Sequence, residues 1–442
     1  MRSMGIEDFI NAQRFGSFQI RIAVLCFLVM LIDGFDAQAV GFVAPAIVRE
    51  LHIDRLSLGP IFTAGVIGMT VGSLSLGMLA DRFGRKRMLV LCLLMFGLCT
   101  MLKATAGSVV TLIAWQFLAG LGLGGAYPNA VSMMSEFSPA SRRATLTAAA
   151  ACGYLVGTSI GGFVAAALIP AYGWQAVFLL GGALALVLTA VLLGGLPESA
   201  KWLLLRAGRD EDVMRILRRI ADRPDSLQDV TIVADEEKAS AASVSDLFVP
   251  GRAVTTVLLW IAAFMSLLVA FFVFTWLPTV FTSANLSIRQ SVIASTMIPT
   301  GAVVGSILWG VLVDRRSASV VLGSAFALYA VCLVLVGVYG SSYLLLILFL
   351  FLAGVGSGGQ TATNAYIAMI HPTLIRSTAV GWAIGVGRVG SILGPLLGTF
   401  IVGWSLAAIF MTIAIPAAIA AISLYLLGIG QRQRQDAAAV IN

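Results

Sequence analysis

The stretch GMLADR, residues 77–82, recurs as GVLVDR at residues 310–315, an offset of 233 positions. Two further features recur in the same order at an offset of 234: AGLGLGGAYPNA (119–130) returns as AGVGSGGQTATNA (353–365), and Arg142 with Gly153 returns as Arg376 with Gly387. Three matches at nearly one offset indicate that the chain contains a duplicated unit. Parallel duplication of this kind is a transporter architecture, with the substrate site near the membrane midplane between the two halves.

The composition of the chain is that of a membrane protein. Of its 442 residues 59% are hydrophobic and only 11% are charged, whereas soluble proteins carry about 25% charged residues. The apolar runs are each long enough for the roughly 20 helical residues that cross a bilayer. We therefore predict an all-α integral membrane fold of twelve spans in two six-helix, pseudo-symmetric halves, at residues 21–48, 58–80, 88–106, 109–134, 144–169, 174–194, 253–281, 290–313, 319–338, 342–370, 377–402 and 404–428.

The basic residues predict how the chain is oriented. If the spans alternate, 23 of the 28 lysines and arginines fall on one side of the membrane. The positive-inside rule makes that side cytoplasmic, and it holds both termini. The net charge of +7 follows from this rule, so it does not call for a nucleic-acid partner. The other side keeps Arg49, Arg55, Lys103 and Arg289, and Arg388 remains inside a span.

The one long polar segment, residues 197–252, divides the chain into an N-terminal half at 1–196 and a C-terminal half at 253–442. Within this predicted cytoplasmic loop, RDEDVMRILRRI (209–220) places apolar residues on one helical face and arginines on the other. Such a helix suits the surface of an anionic inner leaflet. An ordinary amphipathic linker helix is an equally good interpretation.

Two aspartates interrupt the first span, in LIDGFDAQAVGF (31–42). Asp33 and Asp36 share a helical face because they are three residues apart, and Asp36 lies about 22 Å along a helix from Arg21. Near the midplane an ionised carboxylate costs roughly 2.5–3.5 kcal/mol, and mutual repulsion adds to the preference for a protonated form. We predict that they couple transport to protons, the alternative being a structural polar pair. The second half has Leu267 and Ala270 at the equivalent positions.

Arg388 is the one basic residue that we place deep in a span, about 18 Å along a helix from Arg376. Its planar guanidinium matches a carboxylate, so we predict that it binds an anionic substrate; a permanent ion pair with Asp33 or Asp36 is the alternative. Aromatic and amide side chains are candidates to line an apolar site around it, although lipid-facing or packing roles fit each of them as well. These candidates are Phe42, Tyr127, Tyr154, Trp276, Gln360, Asn364, Tyr366 and Trp382.

Charged residues at the predicted cytoplasmic ends of the spans are candidates for gating contacts that break when the halves rock. Simple anchoring by positive charge is the alternative for the arginines. The set is Gly77, Asp81, Arg82 and Arg85, the repeat copies Asp314 and Arg315, and Arg142 and Arg376; Glu136 is a further candidate both for this network and for proton coupling.

Several of these stretches resemble a known family. GMLADRFGRKR (77–87) resembles the signature loop of the major facilitator superfamily. Stretches from LIDGFDAQAVGFVAP (31–45) to HPTLIRSTAVGWAIGVGRVGSILGP (371–395) resemble its aromatic acid:proton symporters, as do LPES (196–199) and FTWLPT (274–279). The resemblance implies import of a benzoate- or hydroxybenzoate-like anion with a proton across the bacterial inner membrane. One departure is Gln116, where the family usually has an arginine that is linked to proton coupling.

Other functions are less well supported by the residues. A symporter for a quinate-like or dicarboxylate substrate would use the same aspartate and arginine chemistry, so it remains open as the alternative. The five cysteines and two histidines show no metal-ligand spacing, and no nucleophile and base are grouped as an enzyme requires. We expect a transporter without a cofactor other than the coupling proton, acting as a monomer on a small aromatic carboxylate.

Overall fold

The computed structural model describes residues 2–206, 210–220, 230–233, 243–249 and 252–441. The first part of the chain forms one short strand, one short helix and six long helices. These elements are β1 (Arg2–Gly5), α1 (Ile6–Ala12), α2 (Ser17–Glu50), α3 (Leu58–Phe83), α4 (Arg85–Lys103), α5 (Val109–Phe137), α6 (Ala140–Tyr172) and α7 (Gln175–Gly195).

The middle of the chain forms short elements, and the last part forms long helices again. The short elements are α8 (Ala200–Leu204), α9 (Asp210–Ile220) and β2 (Val230–Val233). The long helices are α10 (Ala253–Ser283), α11 (Ile288–Arg315), α12 (Ala318–Tyr339), α13 (Tyr343–Ser357), α14 (Gly359–Ile370), α15 (Thr373–Ile401) and α16 (Leu406–Ile441). The predicted span at 342–370 is thus interrupted at Gly358, between α13 and α14.

Eleven stretches of the described chain are long and apolar enough to cross a membrane, with α13 and α14 counted as one. The twelfth predicted span is α4, whose 19 residues include three basic residues at its start and Lys103 at its end. All twelve predicted spans therefore fall on long helices, and the predicted all-α membrane fold is confirmed. The helices extend past the predicted limits because flanking residues that include polar ones continue the helix beyond the apolar run. Helix α2, for example, begins at Ser17 and not at residue 21.

The chain forms two compact units. Unit 1 comprises residues 1–39, 64–161 and 174–238, and unit 2 comprises residues 40–63, 162–173 and 239–442. The predicted boundaries at residues 196 and 252 rest on the polar segment of the sequence and stay a prediction.

Glycines let the helices of unit 1 approach closely. A Cβ atom on Gly120 of α5 would lie 2.3 Å from the carbonyl oxygen of Gly65 on α3. One on Gly122 would lie 2.7 Å from the carbonyl oxygen of Cys92 on α4. Small residues at such crossings allow backbone-to-backbone packing in a membrane, so this glycine-rich stretch of α5 packs helices.

Unit 2 repeats this packing with its own helices. A Cβ on Gly354 of α13 would lie 2.2 Å from the carbonyl oxygen of Ile298 on α11, and one on Gly301 of α11 would lie 2.1 Å from that of Phe351 on α13. The indole N–H of Trp276 on α10 donates to the carbonyl oxygen of Pro395 on α15 at 2.8 Å. That carbonyl is buried, and a buried carbonyl needs such a donor.

The amphipathic helix predicted at 209–220 is observed as α9, and protein covers its apolar face. Val213, Ile216, Leu217 and Ile220 are all buried in the hydrophobic core of unit 1, together with residues of α1. The structure thus supports the linker-helix interpretation over a helix that lies on the lipid surface. β1 also pairs in parallel with β2, from Arg2 opposite Val230 to Gly5 opposite Val233, which ties the N-terminus to the central segment.

Candidate functional site

The two aspartates lie in the interior of unit 1, on the long helix α2. Asp33 is 2% exposed and Asp36 is 1% exposed. Asp36 packs close to a glycine on α7: a Cβ on Gly181 would lie 3.8 Å from Asp36 Oδ1. Both carboxyl groups are therefore removed from water in a helix that crosses the membrane, as the sequence predicts for midplane positions.

Asp36 is paired with a lysine. The Nζ atom of Lys103, at the end of α4, lies 3.1 Å from Oδ2 and 3.4 Å from Oδ1 of Asp36. Each of the two side chains is 1% exposed. The contact is a buried, charge-assisted hydrogen bond that links α2 to α4.

Two more side chains complete the surroundings of the ammonium group. Gln116 of α5 accepts a hydrogen bond from Lys103 Nζ through Oε1 at 3.1 Å. The ring of Phe178 on α7 lies under the ammonium, with its centroid 4.7 Å from Nζ. A lysine has three donors, and an aromatic face attracts a cation, so carboxylate, amide and ring together satisfy the buried charge.

The energetics of this arrangement make it sensitive to protonation. Removing one partner of a buried ion pair destabilises a protein by about 3–5 kcal/mol, because the other charge is left uncompensated. A proton added to Asp36 removes one charge without removing any atom. The site can therefore exist in two charge states, an ion pair or a neutral acid beside a cation.

The sequence predicts Lys103 at the outer membrane surface with Arg49 and Arg55, and not as a partner of Asp36. Its backbone position at the last residue of α4 fits that prediction, but its side chain turns inward. A lysine at a helix end usually extends its ammonium to the membrane surface. The signal in the sequence is Gln116: the family resemblance implies an arginine at this position, and an amide in its place leaves the positive charge to another residue.

The predicted substrate-binding arginine, Arg388, is half-buried in α15. Its backbone carbonyl accepts a hydrogen bond from Ser391 Oγ at 2.6 Å. Gly390, two residues further on, allows close packing, since a Cβ on it would lie 2.3 Å from the carbonyl oxygen of Phe264 on α10. Arg388 belongs to unit 2 and Asp36 to unit 1, so its predicted roles stay predictions.

The candidate lining residues differ in their surroundings. Phe42, Trp276 and Tyr366 are buried, Tyr154 and Gln360 are half-buried, and Tyr127, Asn364 and Trp382 are exposed. The indole N–H of Trp276 donates to the carbonyl oxygen of Pro395, and the hydroxyl of Tyr366 donates to Gln431 Oε1 at 3.1 Å. Trp382 stacks on Trp260 with ring centroids 5.8 Å apart. Within the described chain, Gln360 Oε1 is buried and accepts no hydrogen bond.

At the predicted cytoplasmic end of unit 1, Arg85 binds Glu136, and Glu136 also accepts a hydrogen bond from Ser199 Oγ. Arg85 lies 3.8 Å from Asp81 as well. Three predicted gating residues thus form one cluster. Glu136 is twenty residues from Gln116 along α5, or about 30 Å, so the structure separates it from Asp36 and groups it with Arg85.

The loop between α3 and α4 also receives Glu198 of the LPES stretch. Its carboxylate accepts a hydrogen bond from the backbone N–H of Lys86 at 2.8 Å, in the first turn of α4. An acidic group stabilises the positive end of a helix dipole. The adjoining Gly84 has a φ of 104°, a conformation that glycine adopts without strain.

The other predicted gating residues lie on the surface of their own unit. Arg82, Arg142, Asp314, Arg315 and Arg376 are exposed, and a Cβ on Gly77 would meet only Pro128, at 3.8 Å. Their gating roles remain predictions. Among the described residues, no three His, Cys, Asp or Glu side chains group in a way that would hold a metal ion.

Comparison with known proteins identifies the family. The model of the Major Facilitator Superfamily matches residues 26–304 and again residues 259–439. The 4-hydroxybenzoate transporter PcaK of Pseudomonas aeruginosa is 38% identical over 430 residues, which is 96% of each chain. The gallate transporter of Pseudomonas putida is 34% identical over 95% of this chain and 94% of its own. The crystal structure of a D-xylose-proton symporter superposes with a TM-score of 0.71 at 16% identity, over 92% of this chain and 98% of the other.

These matches cover nearly the whole chain, and the two matches to the family model agree with the internal repeat. The family predicted from the signature loop is confirmed. The chain is a multi-pass membrane transporter and not an enzyme, and it belongs to the Major Facilitator Superfamily.

Proposed function

We propose that the protein imports an aromatic carboxylate anion together with a proton. The observation that carries this proposal is the pair of buried aspartates on α2, of which Asp36 is held by a buried lysine. A carboxylate removed from water is held at a high free-energy cost, so a nearby change of charge readily alters its protonation. Proton-coupled transport requires a group that gains and loses a proton during the cycle.

The substrate class is supported by the names of the relatives, which refer to 4-hydroxybenzoate and gallate. Both compounds are hydroxylated benzoic acids with one carboxylate. Arg388 is the residue that we assign to that carboxylate, because a guanidinium offers two parallel donors to two oxygens. Buried aromatic side chains such as Phe42 and hydrogen-bonding groups such as Gln360 suit a ring with hydroxyl substituents.

In this proposal Asp36 carries the coupled proton and Arg388 holds the substrate, and the two halves alternate in opening. The cluster of Arg85 with Glu136 lies within unit 1, so it holds α4 to α5 at that end of the unit. We place the protein in the bacterial inner membrane and expect it to act as a monomer. We assign both termini to the cytoplasm because most of the basic residues lie on the side that holds the termini.

The proposal is tested by uptake of radiolabelled acids into cells that express the protein, with and without a protonophore. The acids are benzoate, 4-hydroxybenzoate, gallate, vanillate, quinate and succinate. We expect accumulation of one or more aromatic acids, its loss with the protonophore, and its loss in Asp36→Asn. The matched control is Asp8→Asn, which removes an exposed carboxylate of α1 and should transport normally.

Uptake of quinate or succinate without uptake of an aromatic acid would contradict the substrate class and favour the alternative symporter. Aromatic uptake that resists the protonophore would contradict proton coupling. Accumulation that survives Asp36→Asn would transfer the proton-carrying role to Asp33.

A further inference from the structure

Lys103 lies at the end of a membrane-spanning helix, but its ammonium group is buried and does not extend to the membrane surface. It is the last residue of α4, and Thr105 and Gly107 in the following turn are exposed. The predicted membrane surface is therefore within a few residues, and a lysine side chain is long enough to extend its ammonium toward it. Instead the ammonium is buried and contacts three other helices, through Asp36 of α2, Gln116 of α5 and Phe178 of α7.

We propose that Lys103 is the counter-charge of the proton-coupling carboxylate, a positioning residue that exchanges partners as Asp36 gains and loses its proton. When Asp36 is ionised, the ammonium pairs with it and joins α2 to α4. When Asp36 is protonated, the ammonium keeps Gln116 and Phe178 as its partners, and the bond between α2 and α4 weakens. This inference rests on the proposed function, because it assigns a role within proton coupling.

The two remaining partners are what allow the exchange. A buried cation without any partner is strongly destabilised, so a lone pair of Asp36 and Lys103 would resist protonation of Asp36. Gln116 accepts from Nζ at 3.1 Å, the same distance that separates Nζ from Asp36 Oδ2. The ring face of Phe178 adds an attraction that depends only on the charge of the lysine. Both contacts hold the ammonium in either state of Asp36.

The groups around Asp36 come from four helices. Helix α4 contributes Lys103 and, one turn earlier, the thiol of Cys99. Helix α2 contributes Asp33, one turn before Asp36. Helix α5 contributes the neutral Gln116, and α7 contributes Phe178 and Gly181. In the described part of unit 1, Lys103 is thus the cation that contacts Asp36 directly.

The test uses the full-length protein in liposomes, with radiolabelled 4-hydroxybenzoate as the probe. Two modes of transport are measured: exchange between equal concentrations of the acid on both sides, and accumulation driven by an alkaline interior. For one proton per anion, a gradient of one pH unit supports up to about tenfold accumulation. The variants are Lys103→Gln, Gln116→Arg and the double variant. Arg55→Gln, which removes an exposed cation from the outer end of unit 2, is the matched control.

We expect Lys103→Gln to retain exchange within about threefold of the wild type while accumulation falls to a ratio near one. The exchange rate of this variant should also reach its pH midpoint at a higher pH than in the wild type, because Asp36 has lost its counter-charge. The double variant should restore both properties, since an arginine at position 116 reaches the space of the missing ammonium. A merely structural lysine would not move the pH midpoint.

The inference is overturned if Lys103→Gln accumulates the acid as the wild type does. It is also overturned if Lys103→Gln remains folded in a thermal assay but loses exchange and accumulation together, or if the double variant fails to restore accumulation. A wild type that exchanges 4-hydroxybenzoate without responding to the pH gradient would instead refute the proposed proton coupling, and the inference with it. A wild type that exchanges none of the four aromatic acids of the uptake assay would refute the substrate class.

Discussion

Gly34, between the two aspartates of α2, lies directly against the backbone of Tyr154 on α6. A Cβ atom at residue 34 would come within 1.9 Å of the Tyr154 carbonyl oxygen and 2.7 Å of its carbonyl carbon. Atoms do not approach this closely, so the glycine of the DGFD stretch is required by the packing of α2 on α6. The same crossing continues about one turn away, where a Cβ on Gly157 of α6 would lie 1.9 Å from the carbonyl oxygen of Leu31 on α2.

This contact predicts that Gly34→Ala destabilises the protein. Overpacking a close helix crossing costs about 1–3 kcal/mol, and here the opposing atoms are backbone atoms that cannot rotate away. The thermal midpoint of the purified protein in detergent should fall clearly below that of the wild type. Gly385→Ala, in α15 with nothing within 4 Å of the new Cβ, is the matched control. Equal midpoints for Gly34→Ala and the control would show that α2 and α6 do not pack as described.

A second prediction concerns the start of α4. Glu198→Ala removes the carboxylate that accepts the N–H of Lys86, and losing a cap of this kind costs about 0.5–2 kcal/mol. Glu198→Gln should lose less, because its amide oxygen can still accept the hydrogen bond. The thermal midpoint measures both, with Glu211→Ala on the exposed side of α9 as the control. A midpoint of Glu198→Ala no lower than that of the control would contradict the capping role.

A third prediction concerns pH and the N-terminal helix. A hydrogen bond from Lys201, together with the charge of Arg143, holds the pKa of the Glu7 carboxyl below its ordinary value of 4.5. Because the pKa is lowered in the folded state, the stabilisation is present above pH 4.5 and is lost as the pH falls through the lowered pKa. Lysine and arginine stay protonated throughout, so the loss comes from Glu7.

Hydrogen exchange of the α1 amides measures this effect, after correction for the intrinsic rates at each pH. Protection of α1 in the wild type should decrease below pH 4.5. In Glu7→Gln protection should already be reduced at neutral pH and should change less on acidification. Asp8→Asn, beside it but exposed, should behave like the wild type. Identical pH profiles for Glu7→Gln and the wild type would contradict the role of this ion pair.

A fourth prediction concerns the assignment of Arg388. If its guanidinium binds the substrate carboxylate, Arg388→Ala removes a charged hydrogen bond worth about 1.5–3 kcal/mol, which corresponds to roughly ten- to hundredfold weaker binding. Competition by 4-hydroxybenzoate should weaken accordingly. The neutral 4-hydroxybenzamide should bind weakly to the wild type and to Arg388→Ala, and the substitution should change its affinity little. Arg289→Ala, an exposed arginine at the start of α11, is the control. An equal loss of affinity for the acid and the amide would mean that Arg388 has a structural role and does not recognise the carboxylate.

The sequence predicted the fold and half of the buried charge pair. The internal repeat and the apolar runs gave the twelve spans, because helix formation across a membrane depends on local composition. Asp33 and Asp36 could be recognised since a carboxylate in an apolar run is rare. Their burial at 2% and 1% exposure agrees with the prediction.

Lys103 could not be placed in the same way. A lysine at the end of a span is ordinary in sequence, and only the crossing of α2, α4 and α5 shows that its side chain turns inward toward Asp36 and Gln116. Likewise, the apolar face of α9 is visible in the sequence, but whether lipid or protein covers it depends on how α1 and α9 pack. Side-chain direction and the packing of distant segments depend on tertiary contacts, which a local pattern does not contain.

The most direct test of the account measures proton movement with substrate movement. Purified protein in liposomes receives 4-hydroxybenzoate from outside at neutral pH, and a pH electrode records the weakly buffered medium, with protein-free liposomes subtracted to remove diffusion of the undissociated acid. The account predicts that the medium becomes alkaline as the acid enters through the wild type, and that Asp36→Asn abolishes this signal. Entry of the acid through the wild type without alkalinisation would contradict proton-coupled import.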